Sequence, residues 1–141
     1  MKLLVAAMAS ELAAFPDELE GFDQLVTGEG KMQAVYALTR ALDAKEYSEV
    51  VVVGTAGGID PELDATVHEI GSALQHDVFD LDGVAGQHVS LPARVSTGRE
   101  GVLIATGDSF VGDAGITAVI RPSGAGPVSY THLTLPTIYS V

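Results

Sequence analysis

The stretch VVVVGTAGG, residues 50–58, is the part of this 141-residue chain whose residue types most directly suggest chemistry. Four consecutive valines predict a strand buried on both faces, and the small residues after them let a ligand approach the backbone. In open α/β sheets, ligands bind beyond the carboxyl ends of the strands. Residues 54–58, with the hydroxyl of Thr55, are therefore either the floor of a small-molecule site or a tight connection without a ligand.

Two further segments with polar or aromatic residues follow predicted strands. The first is MASE, residues 8–11, and the second is TGDSFV, residues 106–111. By residue type alone, Glu11 is better explained as an acid in the first turn of a helix, where the macrodipole favours it. For Phe110, an ordinary core residue is the alternative to a ligand contact.

Several other kinds of site are disfavoured by the sequence. No Gly-Lys-[Ser/Thr] follows the glycine turn as it would in a Walker loop, and Gly57-Gly58-Ile59 does not begin a dinucleotide fingerprint. The histidines lack the spacing of HExxH or a comparable metal motif, and the chain has no cysteine. We therefore expect neither a cofactor nor a metal.

The elements that must position these residues alternate between strand and helix. Apolar residues of Lys31–Ala44 recur at positions 34, 35, 38, 41 and 42, which predicts an amphipathic helix. Ser10 is a plausible N-cap for a helix that Pro16 ends or bends. This alternation is typical of the α/β class. The predicted strands are 2–7, 24–27, 50–53, 69–75 and 101–106, and the predicted helices are 10–15, Lys31–Ala44 and Ala114–Ile120.

Composition limits the partners and the location of the chain. Its net charge is −12, from 19 acidic against 7 basic residues, and such a surface repels nucleic acid. No apolar run reaches the roughly 18–20 residues of a membrane span, and residues 1–7 are better explained as a first core strand than as a signal peptide. We expect no nucleic acid or membrane partner and a cytoplasmic location.

The C-terminal segment does not fit the rest of the domain. Residues 122–127 read PSGAGP, and those after them have no charge and no amphipathic period. Residues 128–133 can be encoded by GTC TCT TAT ACA CAT CTN, which resembles the transposase recognition end of common sequencing-library adapters. We therefore predict a partial domain over residues 1–121 and a non-native or disordered tail over 122–141, with translated adapter from about residue 127. A genuine disordered tail is the alternative.

Together, the segments at 8–11, 54–58 and 106–111 resemble the nucleoside phosphorylase/nucleosidase superfamily in order and spacing. Within it, they are most similar to the methylthioadenosine/S-adenosylhomocysteine nucleosidases. The resemblance covers residues 1 to about 121 and implies a three-layer α/β/α nucleoside phosphorylase-like fold with a central mixed sheet, truncated at its C-terminus. It also implies a purine nucleoside and water as the small-molecule partners, and a homodimer for the full-length protein.

The resemblance implies a role for each site residue. Glu11 would be the catalytic base that positions and deprotonates water, and the hydroxyl of Thr55, where the family has serine, would help hold that water. The backbone of Ala56 and Gly57 would line the ribose and base pocket. Phe110 would stack on the purine, and the backbone at Val111 would bond its edge. Asp108 is expected to organise its loop, and His76-Asp77 is similar to a family element whose spacing differs, so it receives no role.

The resemblance also separates hydrolysis from phosphorolysis. A phosphate dianion needs a cationic partner, often arginine. Residues 50–53 are apolar, and the nearest basic candidate in the preceding glycine segment is Lys31. The predicted function is hydrolysis of the N-glycosidic bond of methylthioadenosine/S-adenosylhomocysteine-type nucleosides. Alternatives are a nucleoside phosphorylase, a futalosine-type hydrolase or a non-catalytic nucleoside-binding module. The family's ribose-binding Met-Glu pair and its catalytic aspartate are absent after residue 121, so we expect the 141-residue chain to be inactive.

Overall fold

The computed structural model describes residues 1–85, 87, 94–109, 111, 114–129 and 138–140. These residues contain two helices and nine strands, which confirms the predicted α/β class. The strands are β1 (Lys2–Ala6), β2 (Phe22–Val26), β3 (Val50–Val52), β4 (Gly57–Gly58), β5 (Ile70–Gln75), β6 (Val95–Ser96), β7 (Val102–Thr106), β8 (Pro127–Ser129) and β9 (Ile138–Ser140). The helices are α1 (Lys31–Ala44) and α2 (Ala114–Ile120), with short 3-10 turns at Ala9–Leu12 and Arg121–Ser123.

The strands are hydrogen-bonded into two sheets rather than into one continuous sheet. The first has the order β2-β1-β3-β9, and all its pairs are parallel. The second has the order β4-β8-β7-β5-β6 and is mixed: β5, β7 and β8 run parallel, while β4 and β6 are antiparallel to their neighbours. Parallel pairing places the carboxyl ends of β1, β2 and β3 at one edge, where the segments after them meet.

Strand β1 is buried on both faces, as its continuous apolar sequence predicts. Leu3 and Val5 pack against the helix α1 residues Ala34 and Leu38. Leu4 and Ala6 point to the opposite face and pack with Leu12 of the first 3-10 turn. The alternation follows from the two-residue period of a strand, and it fixes both α1 and the 3-10 turn relative to the end of β1.

Helix α1 has the predicted bounds, but its apolar face is only partly covered. Ala34 and Leu38 are buried, whereas Val35 remains 59% exposed and Leu42 38% exposed. Met32 and Tyr36 add to this exposed apolar surface. Among the described residues, neither helix has the length and apolar character that crossing a membrane requires.

The predicted helix over residues 10–15 is wrong in length and in its cap. The structure has a single 3-10 turn, Ala9–Leu12, and its N-cap position is Met8 rather than Ser10. The physical reason is the side chain of Glu11, whose carboxylate accepts the backbone N–H groups of Ala7 and Met8. A cap by the Ser10 hydroxyl is therefore not needed at this turn.

The C-terminal segment contributes two short strands. β8 lies beside β7 and β4, and β9 lies beside β3. Ala125 is buried in the cluster that contains Ile59 and Ile120. Strand pairing of a short apolar segment does not show whether its codons come from the gene or from an adapter. The domain boundary at residue 121 and the adapter origin of the tail therefore stay predictions.

Candidate active site

Glu11 is held at the carboxyl end of β1 by the local backbone. Its neighbour Leu12 is buried against β1 and anchors the 3-10 turn. The Oε2 atom of Glu11 accepts the backbone N–H of Ala7 at 3.2 Å and that of Met8 at 3.1 Å. Both N–H groups lie just beyond the strand, and the carboxylate therefore supplies acceptors for them.

The second oxygen of Glu11 binds the glycine turn after β3. Oε1 accepts the backbone N–H of Thr55 at 2.8 Å and the Thr55 hydroxyl at 3.0 Å. The structure thus brings together the two residues that the sequence predicted as catalytic, although 44 positions separate them in the chain. Four hydrogen-bond donors orient the carboxylate of Glu11, which forms an acid–hydroxyl pair with Thr55.

Gly54 is a further requirement of this pair that the sequence analysis did not single out. A Cβ atom at this position would lie 3.2 Å from Oε1 of Glu11 and 3.6 Å from its Cδ. The absence of a side chain at the end of β3 therefore lets the carboxylate approach Thr55. Only the general rule that glycine marks close approaches of the backbone could have indicated this.

A cavity of about 390 Å³ opens beside the turn, and Thr55 and Ala56 are among its lining residues. Residues 63–68 and the core residues Ile70 and Ile104 also line this cavity. Gly57, the other residue predicted in this turn to bind substrate, pairs with Val128 of β8. The turn that carries Thr55 is exposed and open to a ligand.

Of the two residues predicted to bind the purine, Val111 is described and Phe110 lies outside the described residues. Val111 is half-buried and packs against the cluster of Ile59, Leu74, Ala105, Ile120 and Ala125. Its side chain therefore points into the core, which leaves its backbone as the part that can serve a ligand. That is the part to which the prediction assigned a role.

A second polar network joins the start of α1 to the end of β5 and to the segments that follow β5 and β7. The Lys31 ammonium donates to Asp77 Oδ1 at 2.8 Å and to Gln75 Oε1 at 3.0 Å. Asp77 Oδ2 accepts the backbone N–H of Asp108 at 2.9 Å, and Asp108 Oδ1 accepts the backbone N–H of Lys31 at 2.7 Å. Asp108 organises its loop, as predicted, while the roles of Lys31 and Asp77 were missed because their contact spans 46 residues.

The two titratable groups after β5 have shifted pKa values. Burial raises the pKa of Asp77, but the hydrogen bonds from the Lys31 ammonium and the Asp108 amide outweigh it and hold the pKa below its ordinary value. Desolvation lowers the pKa of His76, against the opposing charge of Asp77. His76 is 4% exposed, and its Nε2 has no hydrogen-bond partner among the described residues.

The ring of His76 lies against the backbone at Gly107. A Cβ atom at Gly107 would lie 2.7 Å from Cε1 and Nε2 of the ring and 2.8 Å from the Cγ of Asp77. Glycine is therefore required where the segment after β7 crosses the segment after β5. No group of three or more acidic, histidine or cysteine side chains in the described part of the chain could hold a metal ion.

The lysine and arginine side chains contact partners other than Glu11 and Thr55. All seven lysine and arginine side chains contact another partner: Lys2 with Glu49, Lys31 with Asp77, Arg40 with Tyr36, Lys45 with Asp23, Arg94 with Ser123, Arg99 with Glu49 and Glu69, and Arg121 with Ile59. Lys31, the one candidate for gripping phosphate, is neutralised by Asp77. The described residues therefore offer no free cation beside Glu11 and Thr55.

Comparison with known proteins gives similarity at two levels. No family model matches the chain. A 5'-methylthioadenosine/S-adenosylhomocysteine nucleosidase from Marinomonas sp. (strain MWYL1) is 30% identical over 122 residues, which cover 70% of this chain and 53% of that protein. The chain thus spans about half the length of the curated relative it matches.

Solved structures share the fold at lower identity. The methylthioadenosine/S-adenosylhomocysteine nucleosidase from S. pneumoniae with the transition-state inhibitor MT-ImmA has a TM-score of 0.81 at 19% identity, over 99% of this chain and 83% of that one. A futalosine hydrolase mutant of Helicobacter pylori has a TM-score of 0.83 at 16% identity, over 99% and 82%. The nucleosidase from Colwellia psychrerythraea in complex with adenine has a TM-score of 0.75 at 22% identity, over 92% and 72%.

These similarities point to the same group of proteins as the segments at 8–11, 54–58 and 106–111. The fold is that of the nucleoside phosphorylase-like proteins, as predicted. The similarity in sequence to a curated nucleosidase adds to the likeness in fold. In fold, and in sequence over much of its length, the chain is similar to the nucleoside phosphorylase/nucleosidase superfamily and, within it, to the methylthioadenosine/S-adenosylhomocysteine nucleosidases.

Proposed function

We propose that this chain is the water-activating part of a purine nucleosidase. The enzyme would hydrolyse the N-glycosidic bond of methylthioadenosine/S-adenosylhomocysteine-type nucleosides and release adenine and a 5-thioribose derivative. The observation that carries the proposal is the Glu11–Thr55 pair, in which a carboxylate and a hydroxyl meet at the carboxyl ends of two neighbouring strands. The curated relative bears the name of this activity.

In the proposed reaction, water attacks the anomeric carbon while the bond from that carbon to the purine nitrogen breaks. One proton of the water passes to Glu11, and the purine gains a proton as it leaves. A carboxylate has about four lone-pair sites, and four donors already occupy Glu11. The water therefore takes the place of the Thr55 hydroxyl at Oε1, and that hydroxyl rotates to hold the water.

The arrangement supports water rather than phosphate as the nucleophile. A phosphate dianion requires charged or multiple hydrogen-bond donors, and each cation of the chain is already engaged, with Lys31 bound to Asp77. A neutral water needs only an acceptor for its proton and a partner that orients it. Glu11 and Thr55 supply both.

Base recognition is assigned to the segment after β7. We propose that Phe110 stacks on the purine and that backbone groups at Val111 bond its edge, with Ala56 and Gly57 lining the ribose and base pocket. The side chain of Val111, which is half-buried and packs against the core, supports this role for its backbone. Glu11 and Thr55 serve the water, so protonation of the leaving purine requires a further acid, for which the family resemblance implies an aspartate.

A futalosine-type hydrolase is the second candidate, because a futalosine hydrolase has the same fold. Both reactions need an activated water, so the Glu11–Thr55 pair serves either. The described residues do not distinguish the substrates of these two candidates.

We also propose a homodimer for the full-length protein and a cytoplasmic location. The exposed apolar residues of α1, with Met32 at 85% and Tyr36 at 60%, support an association surface. The absence of cysteine agrees with a reducing compartment. Sedimentation velocity of the full-length protein tests the dimer: a single species at the monomer mass over the micromolar range would exclude it.

The test of the activity is an assay of the gene completed from genomic DNA. Methylthioadenosine, S-adenosylhomocysteine and futalosine would each be incubated with the protein, with and without phosphate, and the released base measured. We expect base release that does not depend on phosphate and that Glu11→Gln reduces about 10²–10⁴-fold, the range of general base catalysis. Release that requires phosphate would assign a phosphorylase, and binding without release would assign a binding module.

A further inference from the structure

We propose that Lys31 is a positioning residue for the base-binding segment, acting through Asp77. This inference rests on the proposed function, because it concerns how that site is held together. The network of Lys31, Gln75, Asp77 and Asp108 links the start of α1 to the segments after β5 and β7. It lies outside the Glu11–Thr55 pair, and the proposed reaction does not use any of its members.

Asp77 is the centre of the network because its two oxygens have different partners. Oδ1 accepts the Lys31 ammonium, and Oδ2 accepts the backbone N–H of Asp108. The side chains of Lys31 and Asp77 are 24% and 21% exposed, so water screens their attraction only in part. The ammonium therefore keeps Asp77 ionised and oriented toward the Asp108 amide.

The contacts at Asp108 close the network into a ring. The carboxylate of Asp108 accepts the backbone N–H of Lys31, which is the first residue of α1. Lys31 thus contacts the segment after β7 twice, directly through its amide and indirectly through its side chain and Asp77. Through these two contacts Lys31 fixes the position of Asp108, which follows the end of β7.

The segment after β7 is then anchored at two points. Asp108 is bound to α1 and Asp77, and Val111 returns to the core beside Ile59 and Leu74. A base-binding segment works only when its backbone groups are already in place, because a loose segment must lose entropy on binding. We therefore expect loss of the Lys31 ammonium to weaken purine binding and to leave the Glu11–Thr55 pair intact.

The experiment compares Lys31→Met with Lys45→Met in the 141-residue chain. Lys45 is a matched control because it also pairs with one aspartate, Asp23, at 2.6 Å. That pair is on the surface, and Lys45 takes no part in the proposed site. Amide hydrogen exchange is measured at Asp108 and at Thr55, and adenine binding is measured by calorimetry.

We expect Lys31→Met to accelerate amide exchange at Asp108 at least tenfold and to leave exchange at Thr55 within twofold. Adenine should bind about tenfold more weakly, whereas Lys45→Met should change neither quantity. Adding Asp77→Asn to Lys31→Met should weaken adenine binding little further, because the effects of substitutions within one network are not additive.

Two outcomes would overturn the inference. Unchanged exchange at Asp108 in Lys31→Met would show that the ammonium does not hold the segment. Equal acceleration at Asp108 and Thr55 would assign Lys31 a general structural role. If the unsubstituted chain binds no adenine, base recognition by this chain fails, while the exchange data still decide whether Lys31 positions Asp108.

Discussion

Glu11 Oε1 accepts both the backbone N–H and the hydroxyl of Thr55, at 2.8 and 3.0 Å. The amide contact depends only on the backbone and survives any substitution at position 55 other than proline. The hydroxyl contact depends on the side chain, and in the proposed reaction it is the one that gives way to water. The amide contact therefore has a structural role in the turn, and the hydroxyl contact has a chemical role in the proposed reaction.

Substitutions at Thr55 should distinguish these roles. Thr55→Val keeps the shape of the side chain and loses the hydroxyl, so we expect base release by the completed enzyme to fall about 10–100-fold with a small change in stability. Thr55→Ser keeps the hydroxyl and should stay within about threefold. Steady-state kinetics and thermal unfolding of both variants give the comparison, and equal activity of the valine and serine variants would remove Thr55 from the mechanism.

Gly107 should not tolerate a methyl group. Gly107→Ala would bring a Cβ atom within 2.7 Å of the His76 ring, and such overpacking costs about 1–3 kcal/mol of unfolding free energy. Gly58→Ala is the matched control, because a Cβ atom there meets nothing within 4 Å. Urea unfolding measures both. If Gly107→Ala lowers the free energy of unfolding no more than Gly58→Ala does, the close approach of the segments after β5 and β7 is contradicted.

Stability should fall in mild acid because of His76. Desolvation holds its pKa below the ordinary value of 6.5 in the folded chain, so the unfolded chain takes up a proton first as the pH drops below about 6.5. The free energy of unfolding therefore decreases from that pH downward, until the folded chain is protonated as well.

Separate replacement of His76 and of His68 tests this pH dependence. His76→Asn should flatten the decrease in stability between about pH 6.5 and pH 5. The same change at His68, whose ring nitrogen reaches the Asp64 carbonyl, should leave it in place. Chemical unfolding at half-unit pH intervals is the measurement, and an identical slope in both variants would rule out His76 as the source.

The 141-residue chain itself should not release adenine from methylthioadenosine. The Glu11–Thr55 pair supplies a base for the water, and no described residue has been assigned as the acid that protonates the leaving purine. A coupled assay for free adenine tests this with the completed enzyme as positive control. Measurable turnover by the short chain would show that another group protonates the purine.

The tail should prove foreign to the gene. The codons proposed for residues 128–133 resemble a library adapter, and we expect a genomic read to depart from the printed sequence at about residue 127. Long-read sequencing of the locus makes the comparison. A read that continues unchanged through residue 141 would establish the tail as part of the protein.

Much of the architecture follows from local patterns in the sequence. The bounds of α1 and α2 agree with their predicted ranges, and β1, β2, β3, β5 and β7 lie within two residues of theirs. Apolar period and turn residues act over a few positions, which is why they locate these elements. The pattern of α1 did not reveal that Val35 stays exposed, since exposure depends on what packs against the helix.

The contacts of the site depend on pairs of residues far apart in the chain. The three segments at strand ends and the types of Glu11 and Thr55 could be recognised from the sequence. The contact of Glu11 with Thr55 and that of Lys31 with Asp77 span 44 and 46 positions, and no periodicity encodes them. Parallel crossovers bring the ends of β1 and β3 to one edge, and the missing side chain of Gly54 sets how closely Glu11 approaches. The sequence by itself therefore determined the elements and the chemical types at their ends, and only the tertiary structure decided which of those groups touch.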